Sequence, residues 1–480
     1  MPFDVIIFAP FQNSALNTGA DMITGFDYGT SNCAMGVVRP AESAGKDIEL
    51  LAIEQGKAFM PSTLYALDRD LICEQVGLHI SNKKIQQDFI NSRSGPLARA
   101  QRVRREEGFD SKEQSLFVGQ DAFDQYLAWP SEGYFVKSPK SFLGASGLRP
   151  ESIAFFEDIV TAMMQGIKQR GELALGDSIN HTVIGRPVNF QGLNAEKSNK
   201  QAIDILTIAA KRAGFKSVEF LFEPIAAGLN FEERLTENKT VLVVDVGGGT
   251  TDCAMVRMGP SHRNKEQRED DFLGHSGERV GGNDLDIQLA GKNLMPLFGM
   301  ESSLKNGLHM PTRAYWNAVS TNDVGAQTTF NHQQTGFHLE QLLRDCVDSV
   351  LIQRFINLRD EKQNHHLVRS SEQAKISLSN SELTSVDLNY IEAGLSCDIS
   401  REQFARAIER PLNKMLMLME EAINQASCQP DLIYVTGGSA QSPVIRQAIE
   451  KKLGSIEVVD GDHFGSVAAG LTVWAKKIFS

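Results

Sequence analysis

One short device occurs twice in this chain, and the repetition constrains the fold more than any other feature. Val241 to Met255 reads VLVVDVGGGTTDCAM, and Ile23 to Met35 reads ITGFDYGTSNCAM. Matched by letters, Asp27, Gly29, Thr30, Asn32, Cys33, Ala34 and Met35 echo Asp245, Gly249, Thr250, Asp252, Cys253, Ala254 and Met255, the earlier copy being shorter by two glycines. In each, an apolar run of strand type ends on a carboxylate and then turns through glycine and hydroxyl residues. Two copies of one hairpin imply two related halves facing a shared ligand.

The residue types indicate what that ligand is. Phosphate oxygens are best satisfied by backbone N–H groups converging in a tight turn. Glycine is needed where the backbone approaches a ligand closely, and hydroxyls add donors. Gly29, Thr30, Ser31 and Asn32 in the first turn, and Gly247, Gly248, Gly249, Thr250 and Thr251 in the second, fit that task. Asp27 and Asp245, at the strand ends, are placed to hold Mg²⁺ through its water shell, because that ion dehydrates reluctantly. A lone G-G-G-T is equally compatible with a plain β-turn; the second copy weighs against that reading. Neither a G-x-x-x-x-G-K-[ST] loop nor a G-x-G-x-x-G signature occurs. A third site, Gly437-Gly438-Ser439, lies between a strand-type run and a helix, where backbone N–H groups suit phosphate or sugar hydroxyls. Glu372, Lys375 and Ser379 fall on one helix face, suited to ribose and base contacts or simply solvated.

The net charge of −12, from 60 acidic and 48 basic residues, argues against a general nucleic-acid binder while leaving room for a small anion in a local positive pocket. The 480 residues suffice for about three domains or two large lobes. None of Cys33, Cys73, Cys253, Cys346, Cys397 and Cys428 forms a C-x-x-C pair, so zinc and thioredoxin-type sites are not expected. Scattered cysteines of this kind stay reduced in a cytosol, so a cytoplasmic setting is expected. No apolar run nears the ~18 residues of a membrane span, and the patch from Val5 to Ala9 lacks the preceding positive charge of a signal peptide. Residues 1–21 read as an extension before a functional start at Met22, or as an extra edge strand.

Strand-type and helix-type runs alternate, which reads as α/β architecture. Strands are clearest at Ile23–Phe26, Thr182–Ile184, Val241–Asp245, Cys253–Val256 and Leu432–Val435, and helices at Asn199–Ala213, Leu339–Leu358 and Arg401–Gln425, the last kinked or split by Pro411. Residues 71–131 are polar, charged and poor in strand signal, and read as an insertion on the first lobe. Arg99, Arg102, Arg104 and Arg105 within it read as a solvated face, with a partner-docking patch as the alternative. His365 and His366 are adjacent, so on a helix they point apart. Residues 291–338 carry no chemistry that can be assigned.

Together these residues resemble the nucleotide-binding domain of the seventy-kilodalton heat-shock proteins, the DnaK family, within the actin and sugar-kinase superfamily. Asp27-Tyr28-Gly29-Thr30-Ser31-Asn32 resembles the family's first phosphate loop, and Asp245 through Asp252 the second. Phe222-Glu223-Pro224-Ile225-Ala226-Ala227 resembles the interlobe N-E-P-x-A-A motif, and Gly281-Gly282-Asn283-Asp284-Leu285-Asp286 resembles G-G-x-D-F-D. Glu372-Gln373-Ala374-Lys375 resembles the adenosine helix, and Gly437-Gly438-Ser439 the adenosine loop. Lys140-Ser141-Phe142-Leu143-Gly144 resembles the strand carrying the catalytic lysine, with Lys137 as the alternative. The likeness runs from Ile23 almost to the C-terminus, and is greater to the short bacterial YegD-type proteins.

The resemblance implies a two-lobed, actin-like ATPase fold of duplicated ribonuclease H-like domains with the nucleotide cleft between them. Lobe I is expected over 22–235, with its insertion at about 71–131, and lobe II over 236–480, with a subdomain at about 276–385. ATP or ADP and Mg²⁺ are the implied cofactors, and the implied activity is slow ATP hydrolysis. By resemblance, Lys140 neutralises charge on the transferred phosphoryl group and Thr250 orients water or phosphate. Asp27, Glu223, Asp245 and Asp252 then hold the hydrated metal and the attacking water. Gly281, Gly282, Glu372, Lys375, Ser379, Gly437, Gly438 and Ser439 join the turn residues around the nucleotide.

The chain also departs from the family. Gly438 is followed by Ser439, Ala440 and Gln441, where the family continues into an arginine that lies against adenine. After Pro187 the family's relay arginine is not identifiable in VNFQGLNAEKSNK. No apolar acidic linker or peptide-binding β-domain is read before Ser480, so client holding has no support in the sequence. A nucleotide-switched, actin-like scaffold or filament protein and a small-molecule kinase on the same fold are the alternative functions. Nucleic acid and membrane are not expected partners, and protein partners cannot be read.

Overall fold

The computed structural model describes residues 22–38, 48–110, 113–190, 195–263, 265, 268–461 and 465–479. Residues 1–21, read above as an extension or edge strand, lie outside them. Two mixed sheets organise the chain. The first runs in the order Ile48–Leu50, Asn32–Val38, Met22–Asp27, Ile179–Arg186, Ser217–Phe222, with Met60–Pro61 also paired to Asn32–Val38. The second runs Phe272–Glu278, Thr251–Met258, Lys239–Val246, Leu432–Thr436, Glu457–Asp460. In chain order within each half, both sheets are third, second, first, fourth, fifth, with the first hairpin antiparallel and the fourth strand parallel to the first. The duplication read in the letters is thus a duplication of topology, and the α/β actin-like expectation holds. The central strands are continuous apolar runs because both faces are covered: Val241, Leu242, Val243 and Val244 are all fully buried.

Strand pairing corrects the letter-by-letter match. Asp245 pairs with Asp252, and Asp27 pairs with Ala34. Both hairpins therefore close over the same number of residues, and the counterpart of Asp252 in the first half is Ala34, not Asn32. The turn length is set by the hairpin, so the first copy is not shortened; its loop carries other side chains where the second carries glycines, and only the second half supplies a carboxylate on the return strand.

The helices Pro150–Leu175 and Ala195–Arg212 pack together beside the first sheet. Two more helices, Glu223–Glu232 and Ser466–Phe479, fill the space between the sheets: the latter lies on Met22–Asp27, the former against Lys239–Val246 and Thr251–Met258. They touch backbone to backbone. A Cβ on Gly470 would fall 1.6 Å from the carbonyl oxygen of Ala226, and one on Gly25 would fall 2.2 Å from the amide of Thr472.

Residues 71–131 form the helices Leu71–Leu78, Lys83–Ser92, Ser94–Glu107 and Gln120–Ala128 and the strand Leu116–Val118. Arg93 anchors them to the helix Pro150–Leu175 through Glu157 (2.7 Å) and Asp158 (3.0 Å). Of the four arginines nearby, Arg99 pairs with Asp70 (3.1 Å) and Arg104 with Glu74 (2.6 Å), so this run is partly consumed internally. The single helix read over Leu339–Leu358 is two, Gln333–Asp345 and Ser349–Asp360, because the Asp348 carboxylate caps the amides of Val350 and Leu351 and starts a new helix. The helix with Pro411 is split rather than kinked, into Arg401–Ala407 and Glu409–Ala426; Pro411 sits in the first turn of the second piece, where no intrahelical N–H is needed. No helix among the described residues is long and apolar enough to cross a membrane.

The helix crossing leaves no room for a side chain at position 470. Gly470→Ala should lower the free energy of urea unfolding by at least the ~1–3 kcal/mol typical of overpacking, since a main-chain carbonyl cannot rotate away. A variant within about 0.5 kcal/mol of wild type, the range of ordinary surface substitutions, would show that the two helices are not in contact.

Candidate functional site

The two glycine turns meet. A Cβ on Gly248 would fall 1.9 Å from Ser31 Oγ, and one on Gly249 would fall 2.6 Å from Thr30 Cγ2, so the second turn fits over the first only as bare backbone. Gly281 and Gly282 brace it from the other side. The amide of Gly282 donates to the Gly247 carbonyl (2.9 Å) and that of Asn283 to the Gly248 carbonyl (2.7 Å). The Asn283 side chain then reaches the other half, accepting from Ser31 Oγ (3.3 Å) and donating to Ser138 Oγ (3.1 Å). Gly437 has φ +89°, and its missing Cβ would lie 2.7 Å from Asp245 Oδ1, so the third glycine site packs directly on the strand-end carboxylate.

The resulting cleft, about 980 Å³ with its open mouth, is lined by Asp27, Gly29, Thr30, Ser31, Asn32, Glu223, Asp245, Gly247, Gly248, Thr250, Gly282, Glu372, Lys375, Gly437, Gly438 and Ser439. Lys140 and Asp252 are not on its surface; both are buried, and Lys140 sits on the short helix Pro139–Phe142, not on a strand, because the strand Tyr134–Lys137 ends before it. Lys140 Nζ is bonded to Glu223, and Asp252 Oδ1 accepts from the amide of Val188 (2.7 Å). Four expected contacts do not line the cleft. The Thr251 hydroxyl is turned away to donate to the Val280 carbonyl (2.7 Å), because alternate residues of a strand face opposite sides. Ser379 lies a turn beyond Lys375 and returns its hydroxyl to the Lys375 carbonyl (3.4 Å). Gly249 and Gly281 serve as close-packed backbone. The lining also includes Ala34, Phe59, Ile376, Ser466 and Val467, which the sequence reading missed. Ser466 had a signal: it follows Gly465 at a helix start, as Ser439 follows Gly438 before one. Ile376 had none, since an apolar residue on that helix face reads as core, yet it is 55% exposed.

The floor of the cleft is crowded with negative charge. Burial, reinforced by Glu223 and opposed by Lys140, pushes Asp27 up to about 7. Burial and the same Glu223 push Asp252 to about 7, although the Val188 amide and the Thr250 side chain pull the other way. Asp245 is raised well above the carboxylate range by burial, then by Glu223, Asp252 and Asp27. Burial works against the Lys140 ammonium, but Glu223 and Asp27 outweigh it and hold its pKa above the usual value. Among the described residues no three Asp, Glu, His or Cys side chains form a direct metal cage. An all-oxygen set that forms no such cage suits a cation that keeps its waters, and Asp252 Oδ2 is buried with no hydrogen-bond partner.

Higher in the cleft, Lys137 pairs with Glu372 of the opposite half (2.9 Å), and Arg369 holds the same carboxylate (2.9 Å). Burial opposes the Glu372 charge, but Lys137, Arg369 and Lys375 together keep its pKa well below the normal range. Lys375 pairs with the buried Asp286 (2.8 Å). Also between the halves, the Tyr126 hydroxyl donates to the Lys362 carbonyl (2.8 Å), and Lys362 Nζ donates to the Ser131 carbonyl (2.9 Å). His365 lies edge-on to Tyr126 and Phe135, whereas His366 stacks on Tyr390, so the two do point apart.

The family pattern described as "Hsp70 protein" matches residues 151–291 and 326–476, more than half of the chain. Heat shock 70 kDa protein 13 of Homo sapiens is 23% identical over 483 residues, covering 94% of this chain and 88% of its own length. Chaperone protein DnaK 3 of Synechococcus sp. is 23% identical over 313 residues, 62% of this chain, and Chaperone protein DnaK of Elusimicrobium minutum is 23% identical over 383 residues, 76% of this chain. The chain spans only 38% of the length of the first of these two bacterial relatives and 50% of the second.

The charged floor makes the ligand-free protein sensitive to pH. Asp27 titrates higher folded (about 7) than unfolded (3.8), so its contribution to stability is full below about 4 and is lost as pH rises through about 7. Asp27→Asn removes that loss. The variant should gain on wild type by roughly 2–3 kcal/mol between pH 5 and pH 8, because each pH step of one between the two values costs the wild type about 1.36 kcal/mol. Urea unfolding without nucleotide measures it, and a difference flat across that range would show that Asp27 is not held among buried carboxylates.

Proposed function

The chain belongs to the Hsp70 protein family, and on that premise we propose that its cleft binds ATP and ADP with Mg²⁺ and hydrolyses ATP slowly. The observation that carries this reading is the convergence, at one cleft, of two strand-end carboxylates and two glycine turns with a buried lysine–carboxylate pair behind them. Phosphoryl transfer asks little covalent chemistry of a protein; positioning and charge stabilisation do most of the work. Bound Mg²⁺ would supply compensating charge for the phosphates.

The chain's own residues divide the remaining tasks. The backbone of Gly29–Ser31 and of Gly248 presents amides to phosphate oxygens, while the Gly247 amide closes the turn on the Thr250 carbonyl (3.0 Å). Asp27 and Asp245 hold the metal's water shell from the two sheets. Lys140, kept charged by Glu223 and Asp27, faces negative charge that spreads over the transferred phosphoryl group. Glu223 and Asp252 order the attacking water, with Thr250 beside them. Glu372, Lys375 and Ser439 lie where a ribose and base would sit, beside the exposed Ile376. The relatives' names, chaperone and heat shock protein, support a chaperone-related role, and the scattered unpaired cysteines support a cytoplasmic one.

Nucleotide at about 100 times its Kd should stabilise the chain by ~2.7 kcal/mol, a shift of a few degrees in melting. The absence of any shift with millimolar ATP or ADP would sink the proposal. Lys140→Ala should bind ATP within several-fold of wild type by calorimetry yet hydrolyse it ~10²–10³ times more slowly in single turnover. If Lys137→Ala has that effect instead, the roles of the two lysines are exchanged.

A further inference from the structure

Beside the carboxylate floor stands a buried cation to which none of these roles falls. Arg186 ends the strand Ile179–Arg186, in register with Phe222, the residue before Glu223. It is 7% exposed, so its charge is withdrawn from water. Its guanidinium lies over the Phe222 ring, 4.6 Å from the centroid, and its Nε–H donates to the adjacent Pro187 carbonyl (3.3 Å). Among the described residues it forms no ion pair. Buried arginines without a carboxylate partner are rare, because desolvating the charge is costly. Burial lowers Arg186 to about 10, and the charges that resist the lowering are Asp252 and Glu223.

Two residues further on, the Val188 amide donates to Asp252 Oδ1 (2.7 Å). The exit from one strand thus carries a buried cation and, two residues on, a hydrogen-bond donor to Asp252, while its register partner leads straight into Glu223. Four carboxylates converge here, Asp27, Glu223, Asp245 and Asp252, and Lys140 is paired with only one of them. A wall of that charge repels a polyphosphate unless positive potential stands behind it. Arginine suits the position better than lysine: it stays charged when buried and seats flat on an aromatic ring.

We propose that Arg186 is a positioning residue for phosphoryl transfer: it shapes the Arg186–Val188 turn that holds Asp252 and supplies the fixed positive charge behind Asp252 and Glu223. This rests on the hydrolysis reading above. In that reaction the bond from the γ-phosphorus to the β,γ-bridging oxygen breaks as the water oxygen bonds to phosphorus. The proton of the water passes to Asp252, and ADP and phosphate leave. Arg186 touches none of the reacting atoms; it acts through the carboxylate that receives the proton.

The test compares Arg186→Met, which keeps the stem and loses the charge, with Arg186→Lys, which restores charge. Calorimetry with Mg²⁺ and ADP, alone and with orthovanadate, separates ground-state from transition-state-like binding, and single-turnover hydrolysis and ligand-free melting are measured beside it. Arg186→Met should bind ADP within about threefold of wild type and lose roughly 10- to 100-fold in both vanadate-complex affinity and hydrolysis rate, the range for residues that orient a reacting group. Arg186→Lys should recover part of it and fall short of wild type, because an ammonium keeps its charge less firmly than a guanidinium when buried and cannot lie flat on the Phe222 ring. Phe222→Leu, which removes the ring under the guanidinium, should show a smaller loss of the same kind and serves if Arg186→Met does not fold. Wild-type turnover with an unaffected Arg186→Met, or equal losses in the Met and Lys variants, overturns the role of Arg186 alone. A wild-type chain that neither hydrolyses ATP nor tightens on ADP with orthovanadate overturns the hydrolysis reading and this role with it.

Discussion

Two strands from different sheets end on carboxylates that line one cleft, Asp27 half-buried and Asp245 buried, and much of the molecule exists to hold that unfavourable arrangement. Like charges out of water repel strongly, and the raised values of Asp27, Asp245 and Asp252 show how far the pocket disfavours their ionised forms. Helices between the sheets prevent the halves from drawing apart, and Asn283 and Lys137 tie the rims together. Lys140 is the local countercharge, and it is insufficient for four acids. A site of this kind is incomplete as protein alone; it is arranged around charge that must come from outside or from behind.

Glycine left the clearest record of this arrangement in the sequence. Gly248, Gly249, Gly282 and Gly437 are where backbone meets backbone or side chain too closely for any Cβ, so their positions had to survive as letters. The strand-end aspartates were legible for a similar reason, as charges at the end of runs otherwise wholly apolar. The spacing inside the turns was not. Letters matched Asn32 to Asp252, whereas hydrogen bonding matched Ala34, because hairpin closure counts residues and is indifferent to which ones they are. Thr251 illustrates a second limit: its neighbour Thr250 faces the cleft, and only strand alternation decides between them.

Residues reached through space left less trace. Ile376 is an exposed apolar side chain on a helix that also carries Glu372 and Lys375, and only the other half of the molecule makes that face a wall. The helix boundary near Asp348 was within reach, since an aspartate followed by apolar residues is an ordinary N-cap, but the longer amphipathic pattern ran through it. Arg186 was visible as a letter beside Pro187, but a letter carries no sign of the groups that surround it. Its importance comes from register: Phe222 across the ladder supplies the ring, and Val188 two residues on supplies the donor.

The crossing at Gly470 also limits how the protein can move. Where a helix backbone rests on the carbonyl of Ala226, translation along either axis drives Cβ atoms of neighbouring residues into that carbonyl, so sliding is blocked and turning about the contact is not. The molecule is a pair of jaws on a rivet. Displacement grows with distance from the rivet, and Asp27 follows Gly25, itself packed on the same helix, by only two residues. Any turn about the contact therefore leaves the acids near the axis at nearly their own separation, so the geometry of the floor is set by the crossing and not by the rims.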